Sequence, residues 1–363
     1  MNSWTNRLPT DFRPLYPDPH VLTILGNYWP RSYDFSPFRR QSRLIETEPG
    51  VKVLVETEEP VIQARAEIVL LHGLEGSGKA GYIVSLAHRA LTSGFRVHRF
   101  HMRTCGGTEH LCDTLYHAGL TSDLLAFLQT LATNLPTFLV GFSLGGNVAL
   151  KAAAEAHNSL AGVCGISPAI DLARCAQALH RKENALYEWR FVERMKSRLL
   201  RTGRYSSKEL SACRTIYQID ERITAPGFGF GTADHYYETQ SALRYLPELS
   251  IPALLIAAQD DTLIPFETLL DPRVQHHPSI QLLAPAHGGH LGFLSKQPPR
   301  WWADERIIDW IEEQLYSSTP REEGDRPNHK EYKEQDLRDT RCGSRDPGES
   351  EYGRDQRNYE KDQ

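Results

Sequence analysis

Thr137-Phe-Leu-Val-Gly-Phe-Ser-Leu-Gly-Gly-Asn147 is the stretch from which the rest of the chain can be read. Thr137 to Val140 is β-branched, aromatic and aliphatic, and reads as a short buried strand. Gly141 to Gly145 matches the pattern Gly-x-Ser-x-Gly, and Asn147 to Ala156 follows as an alanine-rich helix. A serine on a tight strand-to-helix turn stands with its hydroxyl clear above a sheet, and flanking glycines let the backbones approach there. The pentapeptide alone occurs by chance. The strand before it and the small-residue helix after it supply the context that makes Ser143 the candidate nucleophile.

Outward from this turn, strand and helix signals alternate. Glu67 to Leu71, Phe95 to Phe100, Leu160 to Ile166, Ile251 to Ala257 and Ser279 to Leu283 read as strands. Tyr82 to Leu91, Leu120 to Leu131 and Trp301 to Leu315 read as helices, with Thr121 the candidate N-cap of the second and Asp123 in its first turn. Such alternation implies βαβ units, a mostly parallel sheet and an α/β fold with helices on both faces. The rhythm breaks from about residue 171 to 225, a largely helical insertion expected to cap the carboxyl ends of the strands.

A serine hydroxyl needs a base to act as a nucleophile. Of fifteen histidines, His290 stands out: it lies after the last expected strand, in His287-Gly-Gly-His-Leu-Gly-Phe293. His287 is the rival and reads as a rim residue of the same loop. The base needs an orienting carboxylate, and Asp260-Asp261 begins where a strand ends. Consecutive side chains cannot both face one imidazole. The position four residues before Pro265 selects Asp261, leaving Asp260 as a loop-ordering carboxylate. Oxyanion donors are expected from the backbone N–H of Leu144, next to the serine, and of Leu74 in His72-Gly-Leu-Glu-Gly76, with His72 a structural residue of that loop.

Other clusters have plainer readings. His98, His101, Cys105, His110, Cys112 and His117 lie near one another but match no common zinc spacing, so neither a metal nor a cofactor is expected. Trp189, Phe191, Tyr236 and Tyr237 are candidates for an acyl pocket, with ordinary packing an equal reading.

Composition bounds the rest. The chain has 363 residues, 40% hydrophobic and 24% charged, with net charge −5, so it can bury a large core and lacks the basic balance that nucleic acid would require. Its six cysteines form no paired metal or redox pattern. No secretory signal or membrane-spanning run is evident, so a cytoplasmic protein is expected, with peripheral membrane contact left open. Residues 1–316 read as one domain. Residues 317–363 mix charge with glycine and proline and read as a disordered tail.

Taken together, His72-Gly-Leu-Glu-Gly-Ser77, Tyr116-His-Ala-Gly119 with Asp123, Gly141-Phe-Ser-Leu-Gly-Gly-Asn147, Asp260-Asp261 and Gly288-Gly-His-Leu-Gly-Phe293 resemble the YheT-like branch of the α/β hydrolases. Phe12-Arg-Pro14, Pro19-His-Val-Leu-Thr-Ile24 and Asp234-His-Tyr-Tyr237 extend the resemblance from about Phe12 to Leu315. It implies an α/β-hydrolase fold and an enzyme acting on small-molecule acyl esters. The branch includes medium-chain alcohol acyltransferases and phospholipid-cleaving enzymes. Its nucleophile, acid and base fall on Ser143, Asp261 and His290. One departure is Lys79, at a position in the glycine-rich loop where the family pattern has a small or polar residue; no membrane anchor like that of some eukaryotic members is evident. Three functions are compatible with these residues. The first is ester hydrolysis through an acyl-enzyme, the second acyl transfer to an alcohol. The third, a non-catalytic binding protein on the same fold, predicts a missing triad member.

Overall fold

β4 (Glu67–Leu71) is buried at every position, and its alternate residues serve opposite faces of the sheet. Ile68 and Leu70 pack with Val97, Phe138, Val140, Leu254 and Ile256 on one side. Val69 and Leu71 pack with Phe100, Leu139 and Leu255 on the other. Burying a large aliphatic side chain contributes roughly 1.5–3 kcal/mol, so a strand covered on both faces reads as a continuous apolar run.

The computed structural model describes residues 7–8, 11–131, 134–156 and 159–318. Among these, nine strands form one sheet in the order β1-β9-β8-β7-β6-β4-β5-β3-β2. Their ranges are β1 Arg7–Leu8, β2 Arg39–Glu48, β3 Val51–Glu59, β5 Arg96–Phe100, β6 Thr137–Phe142, β7 Gly162–Ile166, β8 Ala253–Ile256 and β9 Ile280–Leu283. Every pairing from β1 to β5 along that order is parallel. β3 joins β5 and β2 joins β3 antiparallel. The helices α2 (Gly81–Thr92) and Trp302–Ser318 cover one face; α3 (Ser122–Gln129) and α4 (Leu144–Glu155) cover the other.

Thr121 is the N-cap residue of α3 and Asp123 lies in its first turn, as expected. Thr121 makes no capping bond, however: its Oγ1 donates to Glu155, while Asp123 turns inward to pair with Arg103 at 2.7 Å. The β2–β3 hairpin was not anticipated. The helical run between β7 and β8 does not stop near residue 225: after α5 (Leu172–Leu179) and α6 (Ala185–Arg201) it continues through a π-helical turn, Asp220–Thr224, to the helix Ala233–Gln240. The last helix reaches Ser318, so the expected tail begins within it; the remainder, from residue 319, lies outside the described residues. Among the described residues no helix is long and apolar enough to cross a membrane.

Candidate active site

β6 delivers Ser143 at a strained turn. The serine adopts φ +54° and ψ −118°, a region costly for a residue with a Cβ, and its N–H donates to Ile166 O at 2.8 Å. The flanking glycines are sterically required. A Cβ at Gly145 would overlap the carbonyl oxygens of Leu71 and His72, and one at Gly141 would overlap the carbonyl of Gly145. The serine hydroxyl therefore stands at the carboxyl end of the sheet, where β4, β8 and β9 also end.

His290 and Asp261 meet it there. His290 Nε2 lies 3.0 Å from Ser143 Oγ, and His290 Nδ1 lies 3.0 Å from Asp261 Oδ2. Asp261 is almost wholly enclosed, with its side chain 1% exposed. Its other oxygen, Oδ1, accepts the backbone N–H groups of Leu263 and Ile264 at 2.9 and 3.0 Å. The carboxylate is thus oriented from both ends, and a proton on Nδ1 leaves Nε2 free to accept from the serine. His287, the rival base, instead pairs with Asp260 at 3.1 Å on the exposed side of the loop. Asp260 also accepts the Gly289 N–H at 2.9 Å. The two adjacent carboxylates hold two points of one histidine loop.

The loop after β4 carries Leu74 to the same place. Tyr82 Oη accepts the Gly73 N–H at 3.0 Å, and Tyr116 Oη accepts the Glu75 N–H at 3.2 Å. Between them, the Leu74 N–H has no acceptor among the described residues, and neither does the Leu144 N–H at the first position of α4. His72 is fully buried; burial pushes its pKa down to about 3, keeping it neutral. It pairs with Gly73 O at 2.8 Å through Nδ1 and accepts the Met102 N–H through Nε2 at 3.2 Å, bracing the loop. Glu75, at φ +55°, forms a buried ion pair with Arg198 of α6 at 2.8 Å.

Ser143 and His290 border two cavities of different character. A narrow one of roughly 90 Å³ runs beneath the helical insertion between Phe191, Met195, Ile219, Tyr236, Tyr237 and Leu263. A broader cleft of roughly 570 Å³ opens between α1 (Pro19–Tyr28), the Gly73–Tyr82 loop and α6. Of the four aromatic candidates, Phe191, Tyr236 and Tyr237 line the inner cavity, while Trp189 sits in the outer cleft, 61% exposed. The His/Cys cluster does not converge. His101 pairs with Glu56 at 3.1 Å and His117 packs against Phe228 and Phe230; no group of three metal-ligating side chains occurs among the described residues.

The supports of this site went unread. Tyr116 and the Glu75–Arg198 pair connect positions 41 and 123 residues apart, and Tyr82 reaches back 9 residues to Gly73; none of these follows a spacing pattern. Thr23 lay within a quoted motif, without a role. Its Oγ1 accepts the His290 N–H at 2.8 Å.

A mainly parallel sheet with helices on both faces and a helical insertion after β7 defines an α/β-hydrolase. The chain belongs to the family described as serine aminopeptidase, S33, whose model matches residues 62–273. YheT of Escherichia coli (strain K12), which carries an esterase name, is 29% identical over 309 residues, 80% of this chain and 89% of that one. Phospholipase ABHD3 of Mus musculus is 27% identical over 282 residues, 73% of this chain and 69% of that one. In fold, the Pyrococcus furiosus esterase Pf2001 matches 78% of this chain and 98% of its own with a TM-score of 0.53 at 20% identity.

Proposed function

We propose that this chain, a carboxylic ester hydrolase, cleaves small-molecule acyl esters through an acyl-enzyme formed on Ser143. The observation that carries the reading is the unbroken row Ser143 Oγ, His290, Asp261, with both links at 3.0 Å. The esterase and phospholipase names of its relatives support the substrate class.

In this reading His290 Nε2 takes the serine proton as Oγ attacks the ester carbonyl. The carbonyl oxygen becomes an oxyanion held by the N–H groups of Leu74 and Leu144. Collapse breaks the bond to the alcohol, whose oxygen receives the proton from His290. Water, deprotonated by the same imidazole, then attacks the acyl carbon, releases the acid and restores the serine. Asp261 fixes the imidazole tautomer and balances its transient charge. The steps use no cofactor. The helical segment between β7 and β8 acts as a cap, and the narrow, mainly apolar cavity beneath it receives the acyl chain. Among the described residues, five buried free cysteines suit a reducing compartment and support a cytoplasmic location.

Fluorophosphonate labelling tests the reading. Wild type labels, Ser143→Ala does not, and His290→Ala labels far more slowly. Folded wild-type protein that neither labels nor hydrolyses any member of a p-nitrophenyl ester series would overturn it.

A further inference from the structure

α6 carries several arginines, and they divide into two groups. Arg198 and Arg201 are neutralised, by Glu75 and by Glu109, each at 2.8 Å. Arg190 and Arg194 line the outer cleft and make no ion pair with any carboxylate among the described residues. Four residues apart on a helix, they repel one another, and such a like-charged pair is destabilising unless an anion lies between or near. Burial and the neighbouring Arg194 both lower the pKa of Arg190, so the site does not compensate its charge from within. Arg190 stacks 5.0 Å above the ring of Tyr28, and Arg194 donates to the Glu75 carbonyl at 2.6 Å; these contacts hold the guanidinium groups in place. The same cleft is lined by Lys79, the residue that departs from the family pattern. The cleft has no aspartate or glutamate in its lining, and the uncapped start of α2 adds a positive backbone end on the same side.

Ser143 and His290 therefore sit between an apolar chamber and a cationic one. We infer that the outer cleft binds the alcohol portion of the substrate and that this portion is anionic: the preferred substrates are acyl esters of alcohols that carry a phosphate or carboxylate group, engaged by Arg190, Arg194 and Lys79. This rests on the ester-hydrolase reading, with the acyl chain in the inner cavity.

The test uses octanoyl esters below the concentration at which they form micelles: monooctanoylglycerol, octanoyl glycerophosphate, octanoyl glycerophosphocholine and octanoyl glycerate. Wild type is expected to favour a singly bonded phosphate or carboxylate ester over the glycerol ester by tenfold or more in kcat/KM, mainly through KM. Raising the salt concentration should shrink that preference, because exposed charges are screened. Arg190→Gln and Lys79→Gln should each lower the anionic-to-neutral ratio several-fold. The phosphate and carboxylate arms identify the acid, and preference for the phosphocholine ester over both would overturn the inference, since it points to a zwitterion. Equal rates on neutral and anionic esters, or a preference that salt leaves untouched, would also overturn it, and the salt series reads this on wild type without any variant. Hydrolysis of the neutral ester with no anionic preference sinks this inference alone; no hydrolysis of any ester, with no fluorophosphonate labelling, sinks the underlying reading as well.

Discussion

The side-chain oxygen of Thr23 accepts the backbone N–H of His290 at 2.8 Å, joining positions 267 residues apart. The hydroxyl in turn donates to Pro19 O at 2.6 Å, so the first turn of α1 clamps the backbone of the imidazole-bearing loop. Thr23→Val keeps the shape and removes the acceptor, leaving a buried N–H unsatisfied at a cost of about 1–3 kcal/mol. The expected outcome is a several-fold slower fluorophosphonate labelling rate and lower kcat, with KM nearly unchanged and Thr23→Ser close to wild type. A KM-only change would contradict a positioning role.

The adjacent aspartates are expected to separate cleanly. Asp261→Asn reverses the tautomer preference of His290 and should lower kcat by about 10²–10⁴. Asp260→Asn loosens only the contacts to His287 and Gly289 and should cost tenfold or less. Steady-state kinetics on one p-nitrophenyl ester compares the two; equal losses would mean that the assignment of acid and loop anchor is wrong.

The Glu75–Arg198 pair ties α6 to the loop that presents Leu74, and both side chains are buried. Arg198→Met strands a carboxylate in the interior, and the expected loss is about 3–5 kcal/mol in urea unfolding. The double variant Glu75→Gln with Arg198→Met should recover much of that stability, whereas additive losses would show the two residues to be independent.

Asp220, in the π-helical turn of the insertion, is buried at the wall of the inner cavity. Burial raises its pKa from 3.8 to about 6, against the opposing effect of hydrogen bonds from Tyr237 and Thr224. Between roughly pH 4 and 6 the folded chain keeps a proton that the unfolded chain has lost, so stability falls as pH rises through that window. Asp220→Asn removes the dependence. Its Tm relative to wild type should rise from its value below pH 4 to a plateau above pH 6, read by thermal scans across that range. A pH-independent difference would contradict the buried, proton-retaining carboxyl.

The parts of the fold legible in the sequence are those where burial acts on both faces. β4, β6, β7 and β8 appear as apolar runs because nearly every position along them is buried. β2 escaped notice for the opposite reason. Of Arg39–Glu48 only Ile45 is buried, so no alternation marks it, and cross-strand charge pairs such as Arg40–Glu58 at 2.8 Å accompany its pairing with β3. At the candidate site, Ser143, Asp261 and His290 could be read because chemistry restricts their residue types and the fold restricts their order. The threonine, tyrosines and arginine that brace them could not, since their partners lie 9 to 267 residues away and any polar side chain of suitable reach would satisfy the same contact.

The division of space around Ser143 has a kinetic consequence. The narrow cavity and the broad cleft meet along Leu74, Ser143, Phe191, Leu263 and His290, so under the proposed mechanism the first product departs through the cleft while the second remains anchored beneath the insertion. Water for the second half-reaction then arrives by the route the first product has just vacated. Any nucleophile that fits there competes with it on equal terms. The proportion of free acid to new ester formed in the presence of an added alcohol would accordingly be governed by the walls of the cleft, and the acyl chain length would leave that proportion unchanged.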